Sequence, residues 1–157
     1  MRARFIVGAI LMAGCICLGL LIAGADLLIY LDPSSVFLIL VPSLIFMIMC
    51  FSPAELKAAF SSVFSKKDRP EAEYKKALAL FKKLQQFLVI LGIFMFMIGM
   101  VAVIRRLDDP KAVGQGFAQA FLVILYALIV ILVFVLPCRT VLKKKIAGLG
   151  EAEGKQR

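Results

Sequence analysis

Long runs without a charged residue are the main pattern in this chain. There are four of them, with 21, 22, 21 and 27 residues, and they cover residues 5–25, 33–54, 84–104 and 112–138. About 20 residues at a rise of 1.5 Å per residue cross a hydrocarbon layer of roughly 30 Å, and a helix satisfies its own backbone hydrogen bonds there. The pattern predicts an all-α integral membrane protein with four transmembrane helices.

The four helices and their connections are predicted to form a single membrane domain, residues 1–157. Its parts in chain order are a first span at 5–25, a second at 34–51, a cytoplasmic loop at 52–83, a third span at 84–104, a fourth at 113–137 and a basic tail at 138–157. The first run is long for a signal peptide and "AGADLLIYLDP" is a poor cleavage site, so we expect it to remain as a membrane anchor.

The charged residues are distributed unevenly between the two sides of the predicted membrane. The net charge is +9, and 16 of the 19 Lys and Arg residues fall in the N-terminus, the 55–83 segment and the C-terminal tail. The positive-inside rule then places both termini and the middle loop in the cytoplasm, with Asp26, Asp32, Asp108 and Asp109 outside. A basic inner face attracts anionic lipids, and we favour that interpretation over nucleic-acid binding.

A helix start follows the second predicted span, in "SPAELKAAFSSVF". Ser52 is the expected N-cap, Pro53 the first helical residue, and Glu55 completes a capping box. The apolar residues that share one face of this helix are Leu56, Phe60, Val63 and Phe64. The pattern predicts a short amphipathic helix on the inner membrane surface.

The segments that flank the third span also carry helix signals. Apolar residues recur at helical spacing from residue 71 onward without an intervening Gly or Pro, which predicts one helix from about 71 to 104. Arg105 and Arg106 are expected to end it, and Asp109 and Pro110 to begin the next helix as cap and first residue.

Small residues and prolines inside the spans indicate where helices could approach or bend. Close packing in lipid needs small side chains, and the candidate sets are Ala9, Ala13 and Cys17, then Gly92 with Gly99, then Gly114 with Ala118. Pro42 and Pro137 each free a backbone carbonyl and allow a kink. The tail after Lys145 is expected to fray.

The sequence offers little for catalysis or ion relay. No nucleophile–base pair, metal cluster or phosphate-binding loop is evident, so we expect no enzyme activity, no cofactor and no metal site. No Asp, Glu, Lys, Arg or His lies inside a predicted span, so the chain alone is not expected to relay ions. The main polar side chains left in the spans, Ser43, Gln119 and Tyr126, are expected to bond neighbouring helices.

Two parts of the chain, residues 20–65 and 98–145, carry motifs of a known family. "IGMVAVIRRLDDPKAVGQGFAQAF" and "LYALIVILVFVLPCRTVLKKK" are similar to the last two membrane helices of the flagellar stator subunit MotA, in the MotA/TolQ/ExbB family. "LDPSSVFLILVPSLIFMIMCFSPAELKAAF" resembles that subunit's turn, second helix and first cytoplasmic helix. The matching structural positions are Asp32, Pro33, Ser35, Pro53, Asp108, Asp109, Pro110, Tyr126 and Pro137.

This resemblance implies a multi-pass protein of the bacterial cytoplasmic membrane. In such complexes a homo-oligomeric ring of five chains surrounds two copies of a single-span MotB-like partner, and ion flow at their interface drives rotation. The related ExbB and TolQ subunits share that plan with an ExbD-like partner.

The chain departs from the family pattern at the positions that the resemblance assigns to the ion path. Met95 and Phe96 stand where the family has a Gly-Thr pair, Val123 and Ile124 replace a Thr-Thr pair, and Leu132 replaces a polar residue. Hydrocarbon side chains exclude water where a hydroxyl would solvate an ion. The cytoplasmic loop, about thirty residues long, is also much shorter than the family's rotor-contacting domain.

Three hypotheses follow from these observations. The first is a MotA-like scaffold, ring-forming around a single-span partner, whose ion conduction is weakened or lost. The second is a proton or sodium channel subunit whose acidic residue comes wholly from a MotB- or ExbD-like partner. The third is a non-conducting membrane anchor or assembly factor that recruits another protein through its Lys-rich inner face.

Overall fold

A computed structural model of the chain describes residues 2–22, 24, 30, 32–65 and 69–154, and every element in these ranges is helical. In chain order the elements are α1 (Arg2–Ile22), α2 (Pro33–Cys50), α3 (Pro53–Phe64), α4 (Glu71–Ile104), α5 (Pro110–Val130), a π-helical segment (Ile131–Val135) and α6 (Leu136–Gly154). The last three run on without a break. The helices α2, α4 and α5 form the centre of the bundle, and α1 lies at its edge against the π-helical segment.

Three helices are long and apolar enough to cross a membrane, namely α2, α4 and the continuous helix Pro110–Leu149. The predicted all-α membrane class is confirmed at this level. The first predicted span overlaps α1, but residues 23 and 25 lie outside the described part of the chain. The same is true of Asp26 in the predicted outer turn, residues 66–68 of the loop and residues 155–157 of the tail.

The helix starts predicted from local sequence signals are confirmed. The Ser52 hydroxyl accepts the Glu55 N–H at 3.2 Å, and the Glu55 carboxylate accepts the Ser52 N–H at 2.9 Å. Two backbone donors at the start of α3 are therefore satisfied reciprocally. The helix that follows, α4, runs unbroken for 34 residues from Glu71 to Ile104, as the uninterrupted apolar spacing predicts.

Helices α4 and α5 pack against each other with very small residues at the contact. A Cβ atom added to Gly92 would lie 3.1 Å from the Ala127 Cβ, and one added to Gly99 would lie 2.8 Å from the Ala120 Cβ. Both glycines therefore bring the α4 backbone close to α5, and their order shows that the two helices are antiparallel. The predicted packing role of this glycine pair is confirmed.

A third close contact extends the same interface to the end of the bundle that carries the 105–109 turn. A Cβ on Gly116 of α5 would lie 2.6 Å from the Val103 Cγ2 atom of α4. Gly114, by contrast, has open space where its Cβ would be, and Ala118 is exposed. The predicted Gly114–Ala118 pair therefore takes no part in packing within one chain.

The apolar face of α3, the helix predicted on the inner membrane surface, has partners within the chain. That face packs on protein: the Phe60 ring centroid is 5.8 Å from that of Phe81 in α4 and 6.0 Å from that of Phe134. Val63 is buried. The reason is that α4 extends beyond the predicted span and presents its own apolar stripe, which covers α3 more completely than lipid would.

The C-terminus of α3 is held by a lysine that lies far away in the sequence. The Lys145 ammonium donates to the backbone carbonyls of Ser62 at 2.6 Å and Ser65 at 2.9 Å. Its Nζ atom also lies 5.3 Å from the centre of the Tyr74 ring. A cation at the negative end of a helix dipole satisfies free carbonyls, so Lys145 fastens α3 to α4 and α6.

The C-terminal segment, which was predicted to fray after Lys145, is helical in its described part. Helix α6 continues to Gly154. Cys138 and Leu142 are fully buried, and Ile146 and Leu149 pack against the same core. These residues continue one helical stripe past the predicted fourth span, and they pack on the same core as α3 and α4.

The two prolines have different local consequences. Pro42 lies inside α2, which continues through it. Pro137 lies two residues after the π-helical segment, and the intervening Leu136 donates its N–H to the Ile131 carbonyl, five residues back. Widening this turn fits a residue that has no N–H and whose ring would clash with the carbonyl four residues earlier. The predicted irregularity at Pro137 is therefore a π-bulge.

We predict that Gly99→Ala destabilises the protein, because its methyl group would press on Ala120. Overpacking of this kind costs about 1–3 kcal/mol of unfolding free energy. Gly114→Ala is the matched control, since its methyl group meets open space. Thermal unfolding in detergent measures both, and equal stability of the two variants would contradict the proposed contact.

Lys145→Met is predicted to loosen α3 without unfolding the membrane helices. The substitution keeps an unbranched side chain but removes the donor to the Ser62 and Ser65 carbonyls. Hydrogen exchange of the α3 backbone should speed up by about tenfold, which corresponds to roughly 1.4 kcal/mol. Lys144→Met, at an exposed neighbouring position, should leave it unchanged. Identical exchange rates in both variants would contradict the proposal that Lys145 caps α3.

Candidate functional site

The start of α2 is built around one carboxylate. Asp32 accepts the backbone N–H groups of Ser34 at 3.1 Å and Ser35 at 3.3 Å. Both serine hydroxyls also donate to it, at 2.7 Å and 2.5 Å respectively. The Ser35 hydroxyl does most to hold the pKa of Asp32 below its ordinary value, against the opposing effect of desolvation. With Pro33 as the first helical residue, this is a fully satisfied N-cap.

Tyr126 connects that cap to α5. Its hydroxyl donates to the Tyr30 carbonyl and accepts the Asp32 backbone N–H at 3.1 Å. Gln119, about two turns earlier in α5, donates to the Ser34 hydroxyl at 3.2 Å. The expectation that Tyr126 and Gln119 bond another part of the bundle is confirmed. Ser43 differs, because its hydroxyl donates to the Ile39 carbonyl in its own helix.

The turn between α4 and α5 leads into a second capped helix start. The Asp109 carboxylate accepts the N–H groups of Lys111 at 3.0 Å and Ala112 at 3.3 Å, and Pro110 is the first helical residue. Asp108 is exposed. The predicted roles of Asp109 and Pro110 are confirmed, and the charges of this turn are accounted for by helix ends.

The positions that the resemblance assigns to the ion path do not come together around one opening. Val123 is buried, with 4% of its surface exposed, whereas Leu132 is 45% exposed. Phe96 is half-buried, and its ring centroid lies 5.3 Å from that of Phe121 on α5. Met95 packs against the core formed by the buried residues. Within one chain these side chains therefore fill space between helices or face outward.

Ile124 borders an apolar cleft on α5. The cleft has a volume of about 420 Å³ and is lined by Tyr30, Ala118, Phe121, Leu122, Ile124, Leu125 and Leu128. Tyr30 is the one polar side chain among them. Such a surface suits an apolar helix or a lipid chain better than a hydrated ion, because an ion would lose its water ligands without gaining others.

The opposite end of the bundle contains a polar contact that the sequence analysis missed. Arg139 of α6 donates through Nη1 to the Gln85 side chain of α4. Both residues are half-buried; Gln85 is the second residue of the uncharged run 84–104, and Arg139 directly follows the run 112–138. The sequence could have indicated this pair, because Gln85 and Arg139 each lie at the predicted cytoplasmic end of a span, and the two spans are adjacent in the sequence. The contact of Lys145 with α3 was not predicted either, because its partners are backbone carbonyls, which any residue type could supply.

The described residues offer no apparent catalytic or metal-binding cluster. No group of three His, Cys, Asp or Glu residues in this part of the chain could hold a metal ion. Asp32, Asp109, Gln119 and Tyr126 are engaged in helix caps or in hydrogen bonds between elements. What the arrangement can do chemically is to hold helices in fixed contact and present apolar surfaces to a neighbour.

Comparison with known proteins gives one partial similarity. No protein-family model matches the chain. Over 67 residues it is 34% identical to motility protein A of Aquifex aeolicus strain VF5. The matched stretch is 43% of this chain and 26% of that protein, so the chain spans about a quarter of this relative's length. The chain is thus MotA-like over part of its sequence.

We predict that Tyr126→Phe weakens the link between α5 and the start of α2. The phenyl ring keeps the packing, but the Tyr30 carbonyl and the Asp32 N–H each lose a partner. Unsatisfied, partly buried polar groups cost about 1–3 kcal/mol of unfolding free energy. Thermal unfolding in detergent measures the loss.

Tyr30→Phe is the matched control, because no hydrogen bond of its hydroxyl is found among the described residues. We expect its unfolding temperature to stay close to that of the parent chain. If Tyr126→Phe were as stable as this control, the hydrogen bonds of the Tyr126 hydroxyl would contribute nothing to the unfolding free energy.

Proposed function

We propose that the chain is a MotA-like subunit of a stator-type or ExbB/TolQ-type complex in the bacterial cytoplasmic membrane. In this proposal it spans the membrane four times with both termini in the cytoplasm, and α1 supplies the first span. Support comes from the partial identity to motility protein A, the three apolar helices and the concentration of Lys and Arg at one end of the bundle.

The proposed role is an oligomeric scaffold around a single-span MotB- or ExbD-like partner, not an enzyme. Several long apolar side chains of α1 are well exposed in the isolated chain, among them Ile10, Leu11 and Ile22. The cleft beside Ile124 offers an apolar groove on α5. These surfaces suit helix neighbours in a ring, which we take to contain five copies by analogy with the MotA family.

Ion conduction is proposed to be weakened or lost, and the observation that carries this is the burial of Val123. Its side chain packs inside the chain where the resemblance places a hydroxyl of the ion route. Phe96, at the matching height on α4, is packed against Phe121. A water molecule needs polar partners and space, and these side chains provide neither.

The competing function is a conducting subunit whose acidic group comes from the partner. The observation in its favour is the open cleft at Ile124, since a partner helix seated there could bring its own carboxylate to the outer half of α5. In that arrangement the ion would pass along the partner, and the buried Val123 would be irrelevant to the route.

Ion flux separates these two functions. The chain would be reconstituted in vesicles with a MotB- or ExbD-like single-span protein, and proton entry followed with an enclosed pH-sensitive dye. We expect flux no higher than in vesicles that hold the partner alone. Flux well above that background, abolished by replacing the partner's membrane carboxylate, would contradict loss of conduction.

The scaffold proposal predicts a defined oligomer. Size-exclusion chromatography with light scattering in mild detergent should give a protein mass several times 17.3 kDa, with one sharp peak. The control is Ile10→Lys combined with Leu11→Lys, since two charges on the exposed face of α1 should oppose helix contacts in lipid. A monomer in the parent sample, with and without the partner, would contradict the ring.

A further inference from the structure

An open cleft lies between α4 and α6, just where their uncharged runs end. Its volume is about 590 Å³, and it is lined by Lys82, Gln85, Gln86, Val89, Ile90 and Arg139. No acidic side chain is among these residues. The cleft is separate from the apolar groove at Ile124 and from the positions that the resemblance assigns to the ion path.

The wall that α4 contributes changes character along the helix axis. Lys82, Gln86 and Ile90 follow one another at four-residue steps and are all exposed, so they form one stripe from a cation through an amide to a hydrocarbon. Eight residues of helix cover about 12 Å. The stripe therefore crosses from the polar head-group layer into the hydrocarbon within a distance comparable to the length of a phospholipid head and its glycerol backbone.

Arg139 supplies the opposite wall and has unused hydrogen-bonding capacity. One Nη atom of its guanidinium donates to the Gln85 side chain, which fixes the group against α4. Its Nε–H is buried and has no partner among the described residues. A buried donor without a partner is unfavourable, and the planar guanidinium matches the paired oxygens of a phosphate.

We propose that this cleft binds the phosphodiester of an anionic phospholipid. Arg139 and Lys82 contact the phosphate, Gln85 holds the guanidinium in place, and one acyl chain runs along Val89 and Ile90. The proposal goes beyond the scaffold function and needs only that α4 lies in a membrane. It holds whether or not the chain forms a ring or conducts ions.

The composition of the cleft favours a lipid over other anions. A free phosphate ion would use the two cations but would gain nothing from the apolar wall formed by Val89 and Ile90. An acidic peptide would suit a groove that is polar throughout, whereas Val89 and Ile90 make one part of this cleft apolar. A phospholipid matches both halves at once, because its charge and its apolar chain are joined over the same distance.

Native mass spectrometry of the full chain in detergent tests the site. Phosphatidylglycerol would be titrated against phosphatidylcholine with identical acyl chains, and inorganic phosphate would be added in a separate arm. We expect phosphatidylglycerol to bind at least tenfold more tightly than phosphatidylcholine, and excess inorganic phosphate to displace it poorly. Equal affinity for the two lipids would overturn the proposal, as would full displacement by inorganic phosphate.

Matched substitutions locate the site. Arg139→Gln and Lys82→Gln should each weaken phosphatidylglycerol binding by about tenfold, the effect expected for loss of one charge-assisted hydrogen bond. Lys83→Gln and Lys144→Gln remove the same charge from exposed positions outside the cleft and should have little effect. Equal weakening by all four would mean that only overall charge matters and would overturn the site.

The test stays decisive if Arg139→Gln folds poorly. Lys82 is exposed and its substitution disturbs no packing, so the pair Lys82→Gln and Lys83→Gln is sufficient alone. Oligomer mass is recorded in the same spectra, which separates this proposal from the scaffold function. If a second copy of the chain occupied the cleft, cross-links from Lys82 to that copy would replace bound lipid and contradict the proposal.

Discussion

The close antiparallel contact between α4 and α5 is the constraint on which the rest of the molecule depends. Lipid gives helices no hydrophobic reason to associate, so the contact must gain its stability from dispersion over a close fit. Gly92, Gly99 and Gly116 allow that fit by removing side chains where the backbones approach. The other elements then pack around α4: α2 stacks Phe46 on Phe87 at a centroid distance of 4.0 Å, and α3 is held through its phenylalanine contacts and through Lys145.

The same contact determines what the candidate site can do. A helix pair that meets through glycines and alanines has no room for a file of water, and Val123 lies inside it. The Tyr126 hydroxyl joins α5 to the start of α2, and the Ser43 hydroxyl bonds a carbonyl of its own helix. The proposed scaffold function follows from these two features. The contacts inside the chain are rigid, and the apolar surfaces on α1 and α5 are available to neighbouring subunits.

Features that depend on residues close together in the sequence were predicted correctly, whereas contacts between residues far apart in the sequence were not predicted. The caps at Ser52 and Asp109 depend on residues within one turn, so the sequence contains all the information needed to find them. The order of α6 depends on the apolar faces of α3 and α4, which lie far away in sequence, and its helical continuation was therefore not predicted. For the same reason, the sequence did not predict the Arg139–Gln85 contact or the burial of Val123, which depend on residues from different helices.

Thiol labelling at position 123 tests the central claim most directly. In a chain whose four native cysteines are replaced by alanine, Val123→Cys and the exposed control Leu107→Cys would each be treated with a small, water-soluble maleimide in the assembled, membrane-embedded state. A dry contact between α4 and α5 predicts full labelling of Leu107→Cys and labelling of Val123→Cys only after denaturation. Labelling of Val123→Cys at a rate similar to the control in the native membrane would mean that water reaches the helix contact, and the account would be wrong.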